Sequence, residues 1–233
     1  MSISTQLAAV RHAINQSCHT AGREPASVTL LAVSKTFGAD AVIVAADAGQ
    51  VAFGENYVQE AVNKINEVQL LRPELHLEWH FIGPIQSNKT RPIAENFSWV
   101  HAVDREKIAQ RLSEQRPEGL SPLNICLQVN VSGEASKSGV SPEELPALAK
   151  AIAGLPNIQL RGLMAIPEPE ADPARQHAPF ALLRELQQQL AAMGIHTDTL
   201  SMGMSGDMQA AIAEGATMVR IGSAIFGKRD YAN

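Results

Sequence analysis

Eight short apolar runs, each followed by a helical pattern, constrain the fold of this chain more than any other feature. The runs cover 28–33, 51–53, 77–82, 99–103, 123–131, 158–166, 199–202 and 218–221. Between them lie an alanine-rich helix at 40–48, helices over 58–70 and 90–96, and a helix after the N-cap Asp104. Ser141-Pro142-Glu143-Glu144 opens another with a capping box and a proline at the first helical position. Asp172-Pro173 caps a long helix to Met193, and a last one covers 207–214. Glycines 49, 154, 194 and 215 sit where helices should stop. Strands that alternate with helices pair in parallel, and eight of them close a barrel within the usual length. The expected fold is therefore α/β, a single (β/α)8 TIM-type barrel spanning 1–233 as one domain. An extra amphipathic helix precedes it at 1–18. A doubly wound sheet is the alternative, disfavoured by the count of eight and by where the polar residues fall.

The first run, VTLLAV, is rich in β-branched types and reads as a strand buried on both faces. It ends on Ser34 and Lys35. A lysine at the end of a buried strand loses hydration unless it reaches a cavity or a partner. A desolvated lysine suits Schiff-base chemistry with a carbonyl compound, whereas the ordinary reading is a solvated loop residue. In a barrel, chemistry gathers where the strands end at the C-terminal face. Those positions hold Lys35, Asn56, His80 with Gly83, Asn130 with Ser132, Met164, Ser201 to Ser205, and Arg220 to Ser223. Each has an innocent reading: a turn asparagine, a core histidine, an arginine paired with a carboxylate. Their convergence on one rim argues for a site. Ser205-Gly206 enters a helix at Asp207, and Gly222-Ser223 offers a second donor-rich turn, so strands 7 and 8 predict an anion site. A Schiff-base lysine beside a phosphate site fits an aldehyde that carries a phosphate. Pyridoxal 5′-phosphate and an aldolase-type sugar phosphate both answer that description, and spacing alone does not separate them.

The charge balance excludes other classes. Charged residues are 18% of the chain and the net charge is −5, which argues against nucleic acid or an anionic membrane as a partner. Cys18 and Cys126 have no metal-ligand or redox spacing and read as reduced structural thiols of a cytoplasmic protein. The N-terminus lacks the layout of a signal peptide, and no apolar run approaches the roughly 18 residues of a membrane span.

Six ordered motifs carry a resemblance. VSKT at 33–36, FGENYVQE at 53–60, WHFIGPIQSNK at 79–89, GLMAIP at 162–167, SMGMSGD at 201–207 and VRIGSAIFG at 219–227 resemble the pyridoxal 5′-phosphate homeostasis proteins. These are relatives of the alanine racemase N-terminal barrel. The resemblance runs from about Leu7 to Tyr231. It implies that Lys35 holds pyridoxal 5′-phosphate as a Schiff base and that Arg220 faces the pyridine nitrogen. It also implies that Ser205, Gly222 and Ser223 hold the phosphate, with Asn56, His80, Met164 and Ser201 lining the ring pocket. Phe37 departs from the pattern, since many relatives carry a second basic residue there. An arginine at the ring nitrogen makes the ring a weak electron sink, which disfavours transamination.

The implied function is to store, buffer or deliver the cofactor, as a monomer, with apo forms of cofactor-dependent enzymes as acceptors. Lys137, in the SGEASKSG loop, is a candidate transient second amine. The alternative is an amino-acid racemase using Lys35 as one base, and a class I aldolase is a third reading. Racemisation needs a second positioned acid–base group. In alanine racemases a separate domain of the partner subunit supplies a tyrosine. With the chain ending at Asn233, only Tyr57 and Tyr231 are on offer, so a non-catalytic role is expected.

Overall fold

The computed structural model describes residues 2–133 and 138–227. Parallel strands close into a barrel in sequence order: β1 (Thr29–Val33), β2 (Ala52–Glu55), β3 (Glu78–Phe81), β4 (Trp99–Val103), β5 (Leu123–Gln128), β6 (Ile158–Met164), β7 (Thr199–Ser201) and β8 (Met218–Ile221). β8 pairs back onto β1, with Ala32 opposite Ile221. Helices α1 (Ile3–Thr20), α2 (Ala39–Asp47), α3 (Val58–Leu71), α4 (Thr90–Asn96), α5 (Glu106–Gln115), α6 (Leu145–Ile152), α7 (His177–Ala192), α8 (Met208–Ala213) and α9 (Ser223–Phe226) surround it. The (β/α)8 expectation holds, including the additional helix before β1.

α1 begins at Ser2, whose hydroxyl accepts from the Thr5 amide at 3.2 Å, a side-chain N-cap. It buries Leu7, Val10, Ile14 and Cys18. Arg11 donates to the carbonyls of Ala48 at 2.9 Å and Gly49 at 2.8 Å, satisfying acceptors that α2 leaves open at its C-terminus. Three helix starts differ from the sequence pattern. α6 begins at Leu145 rather than at Pro142, with Ser141 Oγ accepting from the Glu144 amide (3.3 Å) in the turn before it. α7 begins at His177, because Asp172 spends its carboxylate on the Ala174 amide in a local turn (3.0 Å). α5 begins after Arg105, since Asp104 pairs with that guanidinium at 2.6 Å instead of capping.

Most of the apolar core lies between strands and helices. A smaller cluster of Leu31, Val33, Ala52, Ile82 and Met218 is separate from it. His101 on β4 meets Ser201 on β7, strands that are not neighbours in the barrel, so this contact crosses the lumen. Barrel lumens are ordinarily filled by branched aliphatic side chains. Here a chain of polar groups occupies part of that volume.

Candidate functional site

β1 delivers Lys35 to the rim inside a braced segment. The Ser34 amide extends the ladder to Gly54 O at 3.0 Å, and the half-buried Lys35 follows. Ser34 donates its hydroxyl to Glu55 Oε1 at 2.6 Å. Lys64, on α3, reaches Glu55 Oε1 at 2.7 Å, the Ser34 carbonyl at 2.8 Å and Glu60 Oε1 at 3.1 Å. Glu60 in turn accepts from the Thr36 amide at 2.6 Å. Both chain neighbours of Lys35 are thus held by one ion cluster, buried at Glu55 and Lys64 and partly exposed at Glu60. Burial pushes the Glu55 carboxyl up against the pull of Lys64 and the Ser34 hydroxyl.

The end of β8 lies against the same segment. A Cβ at Gly222 would stand 3.1 Å from Val33 O and 3.3 Å from Val33 Cβ, tighter than side chains normally pack, so glycine permits this approach. Phe37 packs on Phe226 of α9, with centroids 5.3 Å apart, tying the loop after Lys35 to the helix that Ser223 begins. The position that departs from the motif therefore has a packing role. The β7 loop joins in through Arg220 N to Gly203 O at 2.9 Å, and Asp207 Oδ1 accepts from Met204 N at 2.6 Å. Ser205 and Ser223 are exposed, and Ser205 lines a separate cavity that α1 walls with Gln6, Val10 and Ala13, opposite Met208, Ile221 and Ala224. Lys35, Ser205, Gly222 and Ser223 thus gather on one rim.

Arg220 lies below that rim, 4% exposed, where burial lowers its pKa to about 10. It donates through Nη1 to Ser201 Oγ and through Nη2 to Ala165 O, both at 2.9 Å. Met164 is fully buried, next to Ala165 and paired in register with Ser201, so β6, β7 and β8 bring Met164, Ser201 and Arg220 together. Asn56 stands at the end of β2, with Oδ1 shut off from solvent and without a hydrogen-bond partner among the described residues.

His80 is placed differently from a rim residue. It is wholly buried inside β3, with Nδ1 2.9 Å from His101 Nε2 and Nε2 2.8 Å from Glu78 Oε1. It reaches the pocket through His101, whose Nδ1 is 2.8 Å from Ser201 Oγ. Burial lowers the pKa of His80 and holds His101 well below the ordinary histidine range, with His80 and Arg220 adding to the second effect. Sequence reasoning missed Glu78 and His101. Their signal was polar residues at alternate positions of strands otherwise apolar, Glu78 and His80 on one, His101 on the next.

Residues 5–230 match the family described as alanine racemase, N-terminal domain. A Pseudomonas aeruginosa protein named Pyridoxal phosphate homeostasis protein is 65% identical over 229 residues, 98% of this chain and 96% of its own. The Escherichia coli protein of that name is 54% identical over 233 residues, 99% of this chain and 98% of its own. The chain belongs to the pyridoxal phosphate homeostasis proteins of the alanine racemase N-terminal domain family. The solved structure of PipY from Synechococcus elongatus, described with PLP bound, superposes with a TM-score of 0.81 at 39% identity, over 97% of this chain and all of PipY. Alanine racemase from Corynebacterium glutamicum, 18% identical with a TM-score of 0.69, covers 97% of this chain and is itself covered over 63%, and it shares the fold alone. In this family member the candidate second amine, Lys137, and Tyr231 lie outside the described residues. Among the described residues no helix is long and apolar enough to cross a membrane.

Proposed function

We propose that this protein holds pyridoxal 5′-phosphate through Lys35, and that it stores, buffers and hands over the cofactor rather than turning over an amino acid. One observation carries the reading. Val33, two residues before Lys35, lies against Gly222, the link between buried Arg220 and exposed Ser223. Amine and donor-rich turn therefore share one rim, with the cation buried below it.

The donor set fits this group. Pyridoxal 5′-phosphate supplies an aldehyde for covalent capture by an amine, a ring nitrogen and a phosphate dianion. Lys35 provides the amine, held in register by the Glu55–Lys64–Glu60 cluster. The hydroxyls of Ser205 and Ser223 and the amide of Gly222 donate to the phosphate, and charge-assisted bonds of this kind are worth about 1.5–3 kcal/mol each. Arg220 faces the ring nitrogen. It carries donors only and, with a pKa of about 10, stays cationic at neutral pH, so it holds that nitrogen unprotonated. That setting suits a carrier better than a transaminase. Asn56 Oδ1, an acceptor in need of a donor, and the buried Met164 and Ser201 line the ring. The names of the relatives and the PLP in PipY support the same ligand. Apo forms of cofactor-dependent enzymes are the natural recipients.

Racemisation is the competing reading, and Tyr57, 53% exposed beside Asn56, is the residue that favours it. The protein loaded with cofactor and treated with borohydride should carry the label on Lys35 by mass spectrometry, and Lys35→Ala should carry none. Label on Lys89, Lys137 or Lys228 in the wild type overturns the attachment. Loaded protein should restore activity to an apo enzyme. Rapid α-hydrogen exchange with inversion of L-alanine in deuterated water, lost in Tyr57→Phe, overturns the carrier role.

A further inference from the structure

The polar chain through the lumen has a direction, and its carboxylate end fixes it. Arg220 has donors only, so Ser201 Oγ accepts from Nη1. At the other end the Glu78 carboxylate, held below the usual carboxylate range chiefly by its bond from His80, accepts only. His80 must then carry its proton on Nε2 and present Nδ1 as an acceptor. His101 accordingly donates from Nε2 to His80 Nδ1, leaving its own Nδ1 to accept from the Ser201 hydroxyl. With both imidazoles neutral, each ring carries its one proton on Nε2. Four hydrogen bonds of 2.8–2.9 Å run in one sense from Arg220 to Glu78.

The chain is built to hold that sense. His80 lies flat on Trp99, with centroids 5.3 Å apart and planes at 8°, and the Arg161 guanidinium covers the Trp99 ring at 4.7 Å. Arg161 is itself fixed by Asp198 at 2.8 and 3.0 Å and by Asn124 at 2.9 Å. Ser201, His101 and His80 are fully buried, whereas the Glu78 side chain is 44% exposed. Glu78 opens β3 and Arg220 lies in the second half of β8, so in a parallel barrel the chain runs from the end opposite the rim toward it. A buried polar network is tolerated only when every member is satisfied, and a fully satisfied one rigidifies what it contains. The Ala165 carbonyl fixes the second Arg220 nitrogen, leaving the remaining guanidinium donors for the pocket.

We infer that Glu78 is a positioning residue for the ligand in the pocket, acting through His80, His101 and Ser201 on Arg220. The inference rests on the reading of Arg220 as the group that faces the cofactor ring. Glu78 supplies the acceptor that sets the direction of the chain. Asp207 is the carboxylate whose field reaches Arg220, set against the larger effect of burial.

Imidazole nitrogen NMR on the unliganded, uniformly labelled protein tests the chain without reference to the cofactor. At neutral pH, His80 and His101 should both be neutral with the proton on Nε2. A proton on Nδ1 of either ring, or a doubly protonated ring, overturns the assignment. Glu78→Gln is close in shape, removes the charge and keeps one acceptor oxygen for the His80 Nε2–H. It should weaken the His80 Nε2–H bond and shift the His101 Nε2–H resonance as well, although Glu78 does not touch His101. Because coupling through such networks is modest, pyridoxal 5′-phosphate should leave the variant roughly 2- to 30-fold faster, with an altered absorbance of the bound cofactor. A shift confined to His80, or unchanged release, overturns the positioning role. A borohydride label absent from Lys35 in the wild type counts instead against the proposed function, and leaves the NMR result to judge the chain alone.

Discussion

Thr36, next to the candidate attachment lysine, has a φ of 69°, which a β-branched residue rarely adopts. Such strain persists only where the surroundings enforce it, and the Glu60 carboxylate does so through the Thr36 amide. A glycine constraint of another kind operates across the rim. Gly83 does not need a positive φ, but a Cβ there would overlap the Asn56 carbonyl oxygen and stand 2.8 Å from Asn56 Cα. Gly83→Ala should therefore push the β2 end outward, with Asn56 on it. We expect a loss of about 1–3 kcal/mol in urea unfolding together with faster cofactor release. Unchanged stability and release would show that the rim yields freely at this point. At this scale the sequence was partly legible. Lys35 announced itself as a charge ending an apolar run, and Arg220 and the serines as polar residues at later strand ends. Thr36 did not, because its backbone is set by a carboxylate 24 positions away. His101 was missed because its meaning lies in contacts to β3 and β7 that spacing within β4 cannot express.

Elements position the site through β1, β2 and α3. Lys64 (4% exposed) and Glu55 (fully buried) are an ion pair at 2.7 Å, and they share Ser34 beside Lys35, which donates its hydroxyl to Glu55 and accepts from Lys64 at its carbonyl. Removing one member of a buried pair leaves an uncompensated charge and costs about 3–5 kcal/mol, whereas replacing both with apolar groups is often near neutral. Lys64→Met should fall in that range by urea unfolding, and Lys64→Met/Glu55→Leu should recover most of the loss. The two outcomes separate folding from function, since both variants lose the brace on Ser34 and should exchange cofactor faster. A double variant with wild-type exchange would mean that the cluster serves stability alone. The strands were legible because apolar runs buried on two faces have few other uses. α9 was not expected: four residues give no periodicity, and its place follows from Ile225 and Phe226 being buried, with Phe226 against Phe37. The start of α7 was misplaced because Asp172 is as good a turn former as a helix cap.

The whole molecule carries an acid sensitivity that follows from the lumen. His80 and His101 are lowered below the ordinary histidine value, first of all by burial. The unfolded chain protonates both near pH 6.5, whereas the folded protein resists until lower pH. Below about 6.5 the unfolded state therefore binds protons that the native state does not, and stability falls as pH falls, by up to about 1.4 kcal/mol per pH unit for each ring. The stability is present above the unfolded value and is lost on acidification through the folded ones. Glu55 works in the opposite sense, because a carboxyl raised by burial favours the folded state at low pH and so offsets part of the loss. Glu78 and Asp198, lowered by their partners, lose their contribution only below about pH 4.5. Urea midpoints should therefore drop between pH 7.5 and 5.5. His101→Gln, which removes one of the two rings, should reduce the slope by about half despite a lower starting stability. The same neutral imidazoles carry the chain that reaches Arg220 through Ser201, so release of pyridoxal 5′-phosphate from the folded protein should accelerate only at the lower pH where the folded rings themselves take up protons. A midpoint that stays level or rises between pH 7.5 and 5.5 would mean that the lumen does not keep its histidines neutral.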